Sequence, residues 1–472
     1  MNNELQSALS PQHQSIDYEG EHSRHSIRDV NGKRTLIHNA PFIFTCDEYD
    51  KVQVLQNHSI IIDGDTITAV LPASTVNLDN FDIVYDAGKR GGTVLMPGFI
   101  NTHAHSHMYL MRSAMMLDEG ESIDETIAAM AVWQQYETEE ALIFAAIGDI
   151  TEQQKSGITV TLSHGPSFDA IETGTVMTGH TTINAVSAVS NSRPSNTPEM
   201  VERLFSNHAH YVSIPAVSLH YLYKTPTEAL KKISNLVERH DALVTFHMAE
   251  SVYVAEETVK KHGIRETALL EKYGLLNEHS LASHVLHLTT EEIHTLAKSH
   301  VGIAHLPTSN IIHKSGTFKF WDFEEAGAFP RISLGTDSVV SKNRLDLLTE
   351  AYQTRISHLY ERTVKFSSLF KMLTSNGARV LRMSDRGRIA PGFKADINFW
   401  KLKDRGCIPY DQNEPMTLLG NIITHGGRTV RDLMINGRFI IKNRRHQLVD
   451  ESKLLGLLQT SHMEMRKRVA GK

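Results

Sequence analysis

From Gly92 to about residue 382 the chain alternates strand-like and helix-like runs, and no other feature constrains its fold as tightly. Counting the apolar run at 94–101 as the first, strand-like segments recur at 158–165, 183–190, 211–220, 242–250, 279–284, 301–307 and 331–337. Between them lie helix-forming stretches such as TPTEALKKISNLVERH and SVYVAEETVKKHGIRETALLEKYG. Eight strands, each largely followed by a helix, form the pattern of a (β/α)8 TIM barrel. A doubly wound sheet shows similar alternation. No GxGxxG turn follows an early strand, however, so dinucleotide binding has no support.

The flanks differ in character. Residues 1–29 are polar and charged, and read as an N-terminal extension. Residues 30–91 are β-rich, with hairpin-type turns at NHS and DGD. The β pattern returns in 383–448, with GRIAPGFKADINFWKL and RTVRDLMINGRFIIKNRR. The two segments are expected to join in one small composite β-sandwich domain, leaving 92–382 as the catalytic barrel. Residues 449–472 read as an amphipathic C-terminal helix that packs on the barrel or on a partner subunit.

Composition removes several classes of function. The formal net charge is -6, without the Lys/Arg cluster that a nucleic-acid surface needs. Only Cys46 and Cys407 are present, and they form no CxxC pair. A thiolate zinc site and a disulfide framework are therefore not expected. No apolar run is long enough to span a membrane. The polar start lacks the apolar core of a secretory signal, so a cytosolic location is the default expectation.

The chain holds 27 histidines, and their placement matters more than their number. His103 and His105 stand two apart at the end of the first barrel strand. In an extended chain both side chains leave on one side, and there they can share one metal ion. Alone, an HxH pair is weak evidence. But His220 ends the fourth strand, His247 and Glu250 end the fifth, His284 the sixth, and Asp337 the eighth, with His305 near the end of the seventh. A satisfied core histidine explains one or two of these, not the whole series. The bland alternatives are helix capping for Asp337 and helix-start electrostatics for Glu250.

The motifs LMPGFINTHAH, TFHMAES, LASHVLHL, AHLPTSN, LGTDSVVSKNRLD and LTSNGARVL…GRIAPGFKADI occur in this order. Together they resemble the amidohydrolase superfamily, in the branch that holds cytosine, guanine and adenosylhomocysteine deaminases and the triazine hydrolases. The resemblance spans roughly residues 35–440. It implies metal ligation by His103, His105, His247 and Asp337, with Glu250, His284 and Asp337 as catalytic groups. His284 would contact the activated water or the atom under attack, and Glu250 would shuttle the proton. It also implies pocket positions for His220 and His305, and a loop stabilised by Asn343 and Asp346. Two-metal relatives commonly bridge their ions with a carboxylated Lys on strand four. YVSIPAVSLH contains no Lys, and Lys224 lies beyond the strand end, so one divalent ion is expected. Zinc is the first choice and iron the second.

The chain also departs from that branch. His107 and His164 occupy positions where relatives carry other residues, and Arg112 stands where the branch often has Arg. With His220 and His305 these form the expected substrate contacts. His164 could alternatively support a ligating histidine. Val285 and Leu306 read as packing changes. In the segment VSAVSNSRPSNTPE after strand three Arg193 is the one cation, which weighs against a substrate carboxylate. The tract 118–138 lacks the usual acidic-tryptophan-leucine arrangement, although Trp133 is nearby.

The first reading is an aminohydrolase that releases ammonia from a purine-, pteridine-, pyrimidine- or triazine-like ring. The second is a hydrolase of a cyclic amide, N-acyl linkage or chloro-heterocycle at the same mononuclear site. The third is a binding protein on an old enzyme scaffold. A small-molecule heterocycle is the expected partner, with no nucleic acid and no membrane, and the family habit implies a homodimer.

Overall fold

Gly98 joins two sheets. In the computed structural model, which describes residues 32–89, 91–114, 122–190, 193–342, 344–425 and 429–471, the run expected as the first barrel strand is two strands. The strand Thr93–Pro97 pairs antiparallel with Ile397–Lys401 in the small domain, whereas Phe99–Ala104 opens the barrel. The Gly98 N–H donates to the Asp396 carbonyl at 2.8 Å. A Cβ at Gly98 would lie 2.0 Å from Thr159 Oγ1, so only glycine fits this crossing. The polar extension at 1–29 and Asn343 lie outside the described residues.

The strands before the crossing are β1 (Arg34–Cys46), β2 (Val52–Asp63), β3 (Thr66–Pro72), β4 (Ile83–Asp86) and β5 (Thr93–Pro97). The barrel comprises β6 (Phe99–Ala104), β7 (Ile158–Gly165), β8 (Thr181–Ser187), β9 (Ile214–Tyr221), β10 (Val244–Met248), β11 (Ser280–His284), β12 (Gly302–His305) and β13 (Ile332–Leu334). After it come β14 (Ile397–Lys401), β15 (Asp432–Ile435), β16 (Arg438–Lys442) and β17 (Arg445–His446). One nine-stranded mixed sheet runs β17-β16-β15-β14-β5-β1-β2-β3, with β4 on β1, and so draws on both chain regions. It curls around a core that includes Ile37, Ile60, Ile67, Leu95, Ile397 and Phe399.

The other sheet has eight strands in sequential order, β6 to β13, all parallel. Period-two alternation sorts its side chains. Ile100, Leu162, Ala185, Ala216, Leu281 and Ala304 share the interior core, while Phe99, Val217, Phe246, Ala282, Ile303 and Ile332 face the helices. β13 closes back on β6: the His103 carbonyl accepts the N–H groups of Thr336 and Asp337, both at 3.0 Å. The Asn101 side chain fastens the seam, donating to Thr336 Oγ1 at 2.7 Å and accepting from Thr336 N at 3.0 Å. Barrel closure thus sets the backbone of His103 beside that of Asp337.

The C-terminal helix Glu451–Ala470 is capped by Asp450, whose side chain accepts from Ser452 N and Lys453 N. It lies on the barrel helix Glu139–Lys155, burying Leu454 and Leu458. His462 on the same helix stacks on Trp133 of the helix Ile123–Gln134. No described helix is long and apolar enough to cross a membrane.

Candidate metal centre and pocket

The C-terminal ends of the barrel strands converge on three buried imidazoles, those of His103, His105 and His247. Their candidate ligand atoms all lie within 4.8 Å of one another. Among the described residues this is the one group of three or more His, Cys, Asp or Glu so arranged. The Nε2 atoms of His105 and His247 stand 3.3 Å apart. Two nitrogens about 2.0–2.1 Å from one tetrahedral ion are separated by about 3.3 Å, so the spacing fits a shared ion.

Neighbouring groups set the ring tautomers. His247 Nδ1 donates to the His220 carbonyl at 2.9 Å, which leaves Nε2 bare. His103 Nδ1 is bonded to Ser283 Oγ at 2.6 Å, and its buried Nε2 has no hydrogen-bond partner. Asp337 Oδ1 lies 3.6 Å from His105 Nε2, while its Oδ2 accepts from Ser309 Oγ at 2.6 Å. His103 Nε2 is buried without a partner, and His247 Nε2 faces His105 Nε2 beside the Asp337 carboxylate, so a cation at this point would meet all of them. Three imidazoles and a carboxylate oxygen suit a borderline divalent ion.

Electrostatics keep the group ready for a cation. Burial, reinforced by the neighbouring imidazoles, holds His103 and His247 well below the usual histidine range. Burial also lowers His105, against the attraction of Asp337. Burial alone would raise Asp337, but the facing His105 and His284 hold it below the usual carboxylate range. At neutral pH the set is neutral nitrogens with an ionised carboxylate.

Beside this cluster, His284 Nδ1 is bonded to Asn310 Oδ1 at 2.8 Å, and its Nε2 lies 3.5 Å from Glu250 Oε1. Glu250 Oε2 accepts from the Tyr221 hydroxyl at 2.7 Å. His220, Ala249, His284 and Asp337 all adopt positive φ, between 46° and 71°. Non-glycine residues avoid this region, and such strain concentrates where structure over-determines a site. Here each strained residue sits at, or one residue before, a strand-end group that faces the cluster.

The pocket over the cluster is lined by His105, His220, Tyr221, His247, Glu250 and Asp337 on one side. Met108, Ile123, Ile127, Met130 and Val340 give it an apolar roof. The other expected substrate residues lie elsewhere. His164 sits beneath the cluster, its ring 4.4 Å from that of His103, with both nitrogens engaged by the Ser218 and Thr245 hydroxyls. It is therefore not free to ligate. His107 is buried behind His105 and donates from Nδ1 to the His164 carbonyl. Arg112 follows the short 3-10 helix Ser106–Met111, which carries it outward to Glu152 and the Tyr109 ring. Because Ala304 faces the barrel interior, His305 must face outward, where it stacks on Phe318.

Four contributors escaped the sequence reading: Tyr221, His313, Ser309 and Asn310. Tyr221 reaches the pocket through a β-bulge, since the β9–β10 register slips between the Ser218–Thr245 and His220–Phe246 pairs. His313 lines the pocket and is bonded to Ser341 Oγ at 3.0 Å. Ser309 and Asn310 belong to the motif AHLPTSN, but local sequence does not tie them to Asp337 and His284, which they reach across the fold.

Glu266 is a further buried carboxyl close to the site. It accepts the Ala249 N–H at 2.7 Å, one residue before Glu250. Burial pushes its pKa up to about 8, against those hydrogen bonds. Its folded value therefore exceeds the unfolded one near 4.5, so stability is full below about pH 4.5 and falls as pH rises toward 8. Glu266→Gln keeps an acceptor for Ala249 and removes the ionisation. The variant is expected to gain on the order of 3–4 kcal/mol over the native protein at pH 7–8, and little at pH 4.5. Thermal unfolding at the two pH values tests this, and an equal effect at both would contradict it.

A parallel barrel whose C-terminal rim gathers a three-histidine metal site beside a Glu and an Asp defines a metal-dependent hydrolase. The chain belongs to the amidohydrolase family, whose sequence profile matches residues 94–440, and it acts on carbon–nitrogen bonds. It is 29% identical over 385 residues to the 5-methylthioadenosine/S-adenosylhomocysteine deaminase of Pyrococcus furiosus, covering 79% of this chain and 89% of that protein. The enzyme of the same name from Syntrophomonas wolfei is 28% identical over 389 residues, covering 79% and 87%. In fold, the chain is similar to a zinc-bound adenosine deaminase from Xanthomonas campestris, with TM-score 0.83, 21% identity, and coverage of 93% and 99%. It is likewise similar to the triazine hydrolase of Arthrobacter aurescens, with TM-score 0.82, 20% identity, and coverage of 91% and 99%.

Proposed function

We propose that the protein is an aminohydrolase that converts an amino-substituted N-heterocycle to the carbonyl compound and ammonia. The observation that carries this reading is Glu250, buried beside the three-histidine site and facing the pocket. Deamination needs a group that protonates a ring nitrogen next to the attacked carbon and then helps the amine leave. Glu250 is placed for both tasks.

A zinc ion, or iron in its place, held by His103, His105, His247 and Asp337 would lower the pKa of a water from about 15.7 toward 7. Asp337, with Oδ2 held by the Ser309 hydroxyl, would be the acceptor for a proton from that water. His284, anchored by Asn310 at Nδ1, would present Nε2 toward the oxygen that attacks the ring. Glu250 gives its proton to the ring nitrogen and takes back the one left on the attacking oxygen, while the proton held by Asp337 passes to the departing amine. His220 and Tyr221 wall the ring, and the apolar roof excludes water from it.

The described lining residues include neither Lys nor Arg, and Arg193 is paired with Glu139. Of the two nucleosides in the relatives' names, 5-methylthioadenosine, which carries no amino-acid carboxylate, therefore suits this lining better than S-adenosylhomocysteine. The test is a screen of amino-substituted purines, pteridines, pyrimidines and triazines for ammonia release, with metal measured on the same sample. A chelator is expected to abolish release and added zinc to restore it. Release of chloride or carboxylate without ammonia would overturn the assignment.

A further inference from the structure

Tyr221 joins the site through backbone geometry that its sequence does not announce. Its side chain is buried and lines the pocket. The hydroxyl donates to Glu250 Oε2 at 2.7 Å, and the ring lies 4.9 Å from that of His247. Lys224 places its ammonium 5.0 Å from the centre of the same ring, near the mouth of β9. We propose that Tyr221 is a positioning residue for Glu250, its hydroxyl fixing the carboxyl so that the transferable proton resides on Oε1. This rests on the reading of Glu250 as the proton shuttle.

The argument is one of donors and acceptors. A phenol is protonated throughout the neutral range, so Tyr221 remains a donor toward Oε2. An oxygen that already accepts an O–H hydrogen bond is the poorer place for a second hydrogen pointing the same way. The proton that Glu250 carries is therefore directed to Oε1, which lies 3.5 Å from His284 Nε2. When it is delivered, the Oε1–H bond breaks and a ring N–H bond forms. The negative charge left on the carboxylate is met by the Tyr221 donor in a charge-assisted hydrogen bond. Without that donor the carboxyl can rotate, and its proton spends part of its time on the wrong oxygen.

The bulge makes the arrangement possible. In an unbroken strand, His220 and Tyr221 would face opposite sides of the barrel wall. The register slip and the positive φ of His220 turn both toward the cluster. His220 then uses its carbonyl to hold His247 while Tyr221 holds Glu250.

The test is a double-mutant cycle of Tyr221→Phe and Glu250→Gln. It uses the zinc-loaded protein and 5-methylthioadenosine, or whichever amino-heterocycle releases ammonia in the screen above. Tyr221→Phe is expected to lower kcat about 10- to 100-fold, with KM within about threefold of the native value and zinc content and melting midpoint unchanged. In the Glu250→Gln background the same substitution is expected to cost nothing further, because both act through one proton. An unchanged kcat in Tyr221→Phe, or equal losses in both backgrounds, overturns the proposal and leaves the aminohydrolase reading standing. A full rate in Glu250→Gln alone overturns that reading first. Should Tyr221→Phe not accumulate as folded protein, Tyr221→Met, flexible enough to repack, gives the same cycle.

Discussion

Glu250→Gln is expected to lower kcat for ammonia release by about 10²- to 10⁴-fold, the range that general acid–base groups supply, while KM and metal content stay near native. Gln is close to isosteric with Glu, and its amide oxygen can still accept from the Tyr221 hydroxyl. What it cannot do is carry a proton to the ring nitrogen. Glu250 stands outside the three-histidine group, so metal binding does not depend on it. The measurements are steady-state ammonia release and metal content on the same preparation. A rate within a few fold of native would remove Glu250 from the chemistry, and the aminohydrolase reading with it. A loss of metal in step with the rate would show instead that the substitution acts through the centre.

How legible the site was in the sequence depended on where each residue sits. His103, His105, His247 and Asp337 were visible because each stands at or just beyond the end of an apolar strand, and the period-two spacing of His103 and His105 puts that pair on one side of an extended chain. The same rule, applied one residue further, shows why His305 was misplaced: Ala304 takes the inward position and His305 must face out. Arg112 moved because a 3-10 helix intervenes, and a short polar-apolar mixture such as SHMYLM does not announce that turn. The split at Gly98 was hidden by continuous apolar sequence on both sides. Only the clash of a Cβ with Thr159, a contact from another strand, reveals the crossing. Tyr221 was hidden by the bulge, which depends on pairing between β9 and β10. Local pattern thus showed which residues stand at strand ends. Register and long-range packing determined which of them face the pocket.

His247→Ala is expected to abolish activity and to reduce bound metal from one ion per chain to nearly none. Its Nε2 is one of two facing nitrogens 3.3 Å apart, with His220 fixing the tautomer that leaves it bare. Removing it leaves His103, His105 and Asp337, a weaker and open set. Stability should follow. An ion that binds only the folded chain stabilises it by RT ln(1 + [L]/Kd), about 4 kcal/mol when free metal exceeds Kd a thousandfold. The variant loses this term and also leaves a cavity beside Tyr221, with which the ring is in contact. Its melting midpoint should therefore lie below that of the native apo-protein. A chelator should lower the native midpoint and leave that of His247→Ala unchanged, because the variant has no ion to lose. If the variant keeps a full complement of metal, or the chelator shifts both proteins equally, the ion is held elsewhere and the three-histidine centre is not its site.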